Sequence, residues 1–138
     1  MATPSITPAV ADMLARGPAA AADMARALAV SQATLSRSLR ALEAERRVLR
    51  IGSTHGARYA RRRRLDAIGD VWPMYQIDEE GVPRELGPLH AIERESYFAG
   101  SVLTRLLGIF EGLPYYLQDT RPGGFLGRAV PAAYPELE

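Results

Sequence analysis

The tightest constraint on this chain is a pair of helical segments with almost nothing between them. From about Ala19 to Leu28 the residues Met24, Ala25 and Leu28 share one face, and from Gln32 to about Glu45 the residues Leu35, Leu39 and Leu42 form an apolar stripe at i, i+4 and i+7. Only Ala29, Val30 and Ser31 separate them, and Ser31 is placed to cap the second helix. An earlier helix is predicted to enter at Thr7-Pro8, where the threonine hydroxyl can cap free amides and proline suits the first turn. It carries Val10, Met13 and Leu14 and stops at Gly17-Pro18.

After the third helix, Val48 to Ile51 reads as a short strand, Gly52 to Gly56 as a tight turn and Ala57 to Ala60 as the returning strand. Three helices and a hairpin predict a winged helix. The run Leu28-Ala29-Val30-Ser31-Gln32-Ala33-Thr34-Leu35-Ser36-Arg37-Ser38-Leu39-Arg40-Ala41-Leu42 resembles the helix-turn-helix of bacterial winged-helix repressors, and Arg47 to Tyr59 resembles their wing. Opposite the leucine stripe lie Gln32, Thr34, Ser36, Arg37 and Arg40, side chains that can pair with base edges or hold phosphates. With Ser31, the wing residues His55 and Arg58, and Arg61, Arg62 and Arg63 of the run that ends at Arg64, they form the expected DNA-binding set for a double-stranded operator. The plainer reading of an arginine-studded helix face is a solvated surface, and that of the four-arginine run is a solvated linker.

Charge separates these readings. The formal net charge of +1 conceals twelve arginines against four acids up to Arg64, and five against twelve beyond it. A module of +8 thus precedes one of −7, and the first sign favours a nucleic-acid partner. The two halves are also able to attract each other and mask the reading face. All 17 basic residues are arginine and cysteine is absent, which excludes lysine-based chemistry, thiolate nucleophiles and disulfides; two isolated histidines do not make a structural metal site. No uncharged stretch reaches a membrane span and the first residues lack a signal-peptide layout, so a cytoplasmic protein with no cofactor is expected.

The composition turns acidic around Asp66 to Val71, which sets the expected organisation: residues 1–64 as the winged helix, 65–70 as a linker and 71–138 as a second, small α+β module. In that module Trp72 to Ile77 reads as a strand, Asp78-Glu79-Glu80-Gly81 as a turn and Val82 to Leu89 as a return strand, with Pro73, Pro83 and Pro88 pointing to edge or irregular strands. Tyr97 and Phe98 suggest a third strand. Val102 to Phe110 fits a helix through Leu103, Leu106, Leu107 and Phe110, or a strand broken at Gly108, and the strand is preferred. Pro114 opens a short helix carrying Tyr115, Tyr116 and Leu117.

Three segments, Trp72-Pro73-Met74-Tyr75-Gln76-Ile77-Asp78, Arg84-Glu85-Leu86-Gly87-Pro88-Leu89-His90 and Gly112-Leu113-Pro114-Tyr115-Tyr116-Leu117-Gln118-Asp119-Thr120-Arg121-Pro122-Gly123-Gly124-Phe125-Leu126-Gly127-Arg128, resemble the amino-terminal subdomain of HipA-type serine/threonine kinase toxins. The likeness is greatest to the branch in which a winged helix-turn-helix precedes it. The catalytic lobes of such kinases need several hundred further residues, so the resemblance implies a HipS-like antitoxin: a non-enzymatic protein that binds operator DNA, as a possible homodimer, and docks on a HipA-like kinase. Trp72, Tyr75, Tyr115, Tyr116, Asp119 and Arg121 are the candidate docking residues, and Asp78, Glu79, Glu80, Glu85, Glu93 and Glu95 an acidic surface able to steer toward a basic partner. A tryptophan beside a proline also commonly seals a small core. The rival readings are the amino-terminal part of a full kinase toxin and a winged-helix regulator whose second module senses a small ligand.

Overall fold

The computed structural model describes residues 5–53 and 56–118. Helix α1 (Thr7–Ala15) is followed by a two-residue strand β1 (Ala19–Ala20), then α2 (Ala21–Ala27), α3 (Gln32–Ala44) and the hairpin β2 (Val48–Ile51) and β3 (Arg58–Arg61). β3 lies between β1 and β2 in an antiparallel three-stranded sheet, the arrangement of a winged helix. Val10, Leu14, Met24, Leu35, Leu39, Leu42 and Val48 are buried together, so the leucine stripe read from the sequence is the core face of α3. Each such side chain removed from water contributes about 1.5–3 kcal/mol.

The helix ends are set by local chemistry. The Ser31 hydroxyl accepts from the Thr34 amide at 3.2 Å, as the capping pattern requires. At α1 the expectation is corrected: Thr7 is the first helical residue rather than the cap, and its amide donates to Ser5 Oγ at 3.3 Å. Ala19 and Ala20 pair with Tyr59 and Arg58, so the start expected for the second helix is instead the third strand of the wing sheet. Both α2 and α3 end in Schellman motifs: Val30 donates to Ala25 O and Ala29 to Arg26 O, while Arg47 donates to Leu42 O and Arg46 to Glu43 O. The left-handed residues are Ala29 (φ 52°) and Arg46 (φ 56°), where glycine is usual.

The second module is an antiparallel meander, β4 (Val71–Ile77), β5 (Pro83–Ile92), β6 (Ser96–Ala99) and β7 (Gly108–Glu111), in that spatial order. Its core of Met74, Leu86, Leu89 and Ala99 is flanked by Trp72, Phe110 and Tyr116. The prolines do not keep β5 at an edge. Pro88 faces Pro73 across the β4–β5 ladder, and its carbonyl accepts from Gly100 on the other side, so its missing donor falls where no β4 acceptor needs it. Register shifts between Met74 and Tyr75, leaving Leu86 as the extra residue of a bulge. The segment 102–110 is neither one helix nor one strand: a single 3-10 turn at Thr104–Leu106 sends Leu103 and Leu106 toward the core, and β7 begins at Gly108 instead of breaking there. A final turn, α4 (Tyr115–Gln118), follows Pro114.

The chain leaving β3 splices the two modules together. Arg62 bridges Ile92, the Arg63 amide donates to Ala91 O at 3.1 Å, and the Glu93 amide donates to Arg61 O at 3.0 Å. The stretch expected as a linker folds into a turn in which Leu65 and Gly69 exchange backbone hydrogen bonds. No helix among the described residues is long and apolar enough to cross a membrane.

Candidate nucleic-acid interface

α3 turns its leucines inward, which leaves Gln32, Ala33, Arg37, Arg40, Ala41 and Ala44 exposed on the other side. Arg37 and Arg40 are neighbours at i, i+3 on that face. Arg37 is oriented from behind: its NH2 donates to Thr34 Oγ1 at 3.4 Å, and Thr34 Oγ1 lies 3.0 Å from Ser31 Oγ. The hydroxyls of Ser31 and Thr34 therefore hold the helix end and one guanidinium. Arg40 and Ser36 lie on the flank facing the wing, where they line a groove of about 240 Å³ with Arg50 and Tyr59. Arg50, which donates to Ser53 O at 3.3 Å, was missed from sequence because its position next to Arg40 depends on how the hairpin folds back on α3.

Other expected contacts are engaged elsewhere. Arg58 is exposed, but its NH2 donates to Pro18 O at 2.7 Å and ties the wing to the α1–α2 connection. Arg61 pairs with Glu93 at 3.3 Å and Arg62 with Asp70 at 2.8 Å. Arg63 donates from Nε to Ile92 O at 3.1 Å, with its guanidinium 5.5 Å above the centre of the Tyr97 ring. These three side chains are engaged at the junction: Glu93 and the Ile92 carbonyl arrive at the end of β5, and Asp70 just before β4. The halves do attract each other, but at the base of the wing, with Arg37 and Arg40 left exposed. His55 lies outside the described residues.

In the second module the docking candidates divide. Trp72 is half-buried against the core and donates from Nε1 to Ile68 O at 2.9 Å, so it has the packing role of a core tryptophan. Tyr116 is also interior: its hydroxyl donates to Leu106 O at 2.9 Å, its ring meets Phe110 edge-on at 5.8 Å, and burial pushes its phenol pKa up. Tyr75 and Tyr115 remain on the surface, the first on the edge strand β4 and the second on α4. Asp119 and Arg121 lie outside the described residues. Of the acidic set, Asp78 is used within its turn, accepting from the Val82 and Glu80 amides and from Arg84 Nε, contacts that hold its carboxyl below the usual range. Glu93 is paired with Arg61; Glu79, Glu80, Glu85 and Glu95 remain exposed.

A buried polar cluster lies at the junction. The Arg62 hydrogen bond lowers the Asp70 pKa, and burial, reinforced by the Arg62 charge, lowers that of His90. His90 stacks on Phe98 at 6.0 Å; its Nδ1 and the Nε of Arg62 are buried without a hydrogen-bond partner among the described residues. Neither was legible in the sequence, since a lone histidine at the end of a strand carries no signal of what packs on it.

Comparison with known proteins finds a match in each half. Residues 11–48 match the helix-turn-helix model of the bacterial regulatory protein arsR family, and residues 68–138 match the model of the YjjJ-like toxin middle domain. Toxin YjjJ of Escherichia coli strain K12 is 38% identical over 122 residues, which cover 86% of this chain and 26% of that protein. The chain thus spans about a quarter of the length of the curated relative it matches. No solved structure matches it. With residues 68–138, just over half of the sequence, matching the second of these models, the chain belongs to the family of YjjJ-like toxin middle domains, preceded here by a segment similar to the arsR-family helix-turn-helix.

Proposed function

We propose that this chain is a DNA-binding regulator of a toxin–antitoxin system: its winged helix binds operator DNA, and its second module docks on a HipA-like kinase, restraining it and forming a repressing complex. The chain catalyses no reaction in this reading. The observation that carries it is the pairing of Arg37 and Arg40 on the exposed face of a capped α3 with a module of the YjjJ-like toxin family. Arginine forks onto guanine edges in the major groove, and an exposed pair in the middle of a recognition helix is placed for that contact. Tyr75 and Tyr115 are the exposed aromatic side chains able to fill pockets on a kinase, with Glu79, Glu80 and Glu85 supplying attraction to a basic rim.

Fluorescence anisotropy with labelled upstream DNA tests the first half: the Arg37→Ala/Arg40→Ala protein should lose affinity and sequence discrimination, and unchanged binding counts decisively against it. Co-expression with the neighbouring kinase, followed by size-exclusion chromatography and an autophosphorylation assay, tests the second. Separate elution with undiminished kinase activity sinks the antitoxin reading. A second arrangement is favoured by one observation, that the relative named a toxin is more than three times as long. There the same two modules precede a kinase in one polypeptide, and the restraint is intramolecular. A kinase sequence continuing in the same reading frame distinguishes the two.

A further inference from the structure

Contacts with the second module account for Arg61, Arg62 and Arg63 of the arginine run and leave Arg64 unexplained. Arg61 and Arg62 meet Arg46, Arg47 and Arg64 around a cleft of about 550 Å³ at the junction, whose remaining walls are Glu45, Gly69 and Asp70. Structural partners explain three of these arginines: Arg47 pairs with Glu45 at 3.2 Å, Arg61 with Glu93 and Arg62 with Asp70. The side chains of Arg46 and Arg64 are exposed and have no ion pair among the described residues. Arg46 occupies the left-handed C′ position of α3, where a side chain is disfavoured and glycine is usual, yet the residue there is a cation at the cleft wall.

This cleft is remote from the reading end of the helix. Arg46 follows Gln32 by fourteen positions, roughly 20 Å along the axis, and Arg40, the nearer of the two outward arginines, by six, roughly 9 Å. Arg61 pairs with Val48 at the base of the wing, whereas its tip lies beyond the Ile51–Arg58 pair. Convergence of cations that DNA at the amino-terminal end of α3 does not use calls for another anion. The cleft has the size of a small-molecule site, on the order of 300–1,000 Å³. No aromatic or aliphatic side chain lines it, so recognition there is by charge and by the paired N–H donors of guanidinium groups. Five arginines against Glu45, Asp70 and the Glu93 paired with Arg61 leave two positive charges, more than a single monoanion balances, and suit adjacent phosphates.

We propose that the junction cleft is a binding site for a small ligand bearing a polyphosphate group, held by Arg46 and Arg64 with Arg47, Arg61 and Arg62 behind them. Because Arg46 and Arg47 belong to the winged helix and Arg64, Gly69 and Asp70 to the segment leading into the second sheet, an occupant bridges the two modules. The inference does not depend on the kinase reading, since neither the anion nor its site involves a partner protein.

The test is calorimetric titration of the full chain with tripolyphosphate at constant ionic strength, with sulfate as control. Saturable one-to-one binding is expected, weakened about tenfold or more in Arg46→Asn/Arg64→Gln, which removes two charge-assisted contacts and puts at position 46 a residue that tolerates positive φ. Arg37→Ala/Arg40→Ala should leave the affinity unchanged. Duplex DNA distinguishes the other source of phosphate: Arg46→Asn/Arg64→Gln should retain both duplex affinity and its salt dependence. Absence of saturable tripolyphosphate binding, equal binding of sulfate, or a loss of duplex affinity in that variant matching the loss in Arg37→Ala/Arg40→Ala would each overturn the proposal.

Discussion

Arg62 and Asp70 meet at 2.8 Å in the seam between the winged helix and the second sheet, with their side chains 15% and 20% exposed. An ion pair this far from water is most sensitive to losing one member, because the survivor keeps its desolvation cost. Asp70→Asn, which keeps an oxygen able to accept from Arg62, should therefore destabilise the protein by about 2 kcal/mol, and Arg62→Met, which leaves the Asp70 carboxylate without its donor, by at least as much. Urea denaturation of the two single variants and the double variant measures the coupling. Additive effects would show that the pair does not hold the seam.

The same seam makes stability depend on pH in two separate windows. His90 is held below its ordinary value of 6.5 by burial and by Arg62, so the unfolded chain takes up a proton first. Its neutral form stabilises the fold above that value, and the stability declines as pH falls from about 6.5 toward the folded pKa. Asp70, lowered from 3.8, adds stability that is complete above 3.8 and lost as pH falls through its folded pKa. His90→Leu should flatten the first decline and leave the second. Thermal melts between pH 7 and pH 3 read both, and an unchanged slope near pH 6 in that variant would assign the first decline to another group.

Close backbone approach makes Gly87 the least replaceable residue of the second sheet. Its φ is +123°, and a Cβ built there would stand 2.1 Å from the carbonyl oxygen of Gly100, a residue whose amide is held by Pro88 O. Gly87→Ala must therefore part β5 from the loop after β6, at about 3 kcal/mol or more. Gly81, at φ +80° in the β4–β5 turn, has open space around it, and Gly81→Ala should cost only about 1 kcal/mol. Unfolding midpoints of the two variants give the comparison, and equal losses would contradict it.

What the sequence made legible was decided within a turn or two of chain. The Ser31 cap and the Leu35, Leu39 and Leu42 stripe follow from helical period and local hydrogen bonding. The sequence was silent where partners come from afar. Arg58 finds Pro18 forty positions away, Arg63 finds Ile92 twenty-nine positions away, and Gly87 is fixed by Gly100 across a strand pair. Charge counting gave the right sign to each half and the right attraction between them. It could not tell which arginines that attraction would consume, because Glu93 and Asp70 reach Arg61 and Arg62 only once β5 has paired beside the wing.

Left-handed backbone at the turn between α2 and α3 offers a gain rather than a loss. Ala29 sits at φ 52° in a Schellman motif, a position that glycine occupies without the clash between Cβ and carbonyl. Ala29→Gly should stabilise the winged helix by about 0.5–1 kcal/mol, less whatever flexibility glycine adds to the unfolded chain. Denaturant midpoints check this, and a clear loss would mean that the Ala29 methyl makes contacts worth more than the strain.

Salt dependence separates the arginines that face DNA from those that hold the seam. Every phosphate neutralised on duplex DNA adds about 0.9 to the slope of log affinity against log salt. Arg63 is tied to Ile92 O and lies over Tyr97, so Arg63→Ala should lower the unfolding midpoint while leaving that slope and the affinity at any one salt concentration unchanged. Arg37→Ala should do the reverse: its only described side-chain contact is the 3.4 Å hydrogen bond to Thr34 on its own helix, so stability should stay within about 0.5 kcal/mol while duplex affinity falls. Anisotropy titrations over a series of salt concentrations, run beside urea melts of the same preparations, give both quantities for each variant. A lower slope in Arg63→Ala with an unchanged melt would return the arginine run to the phosphate backbone and detach it from the second module.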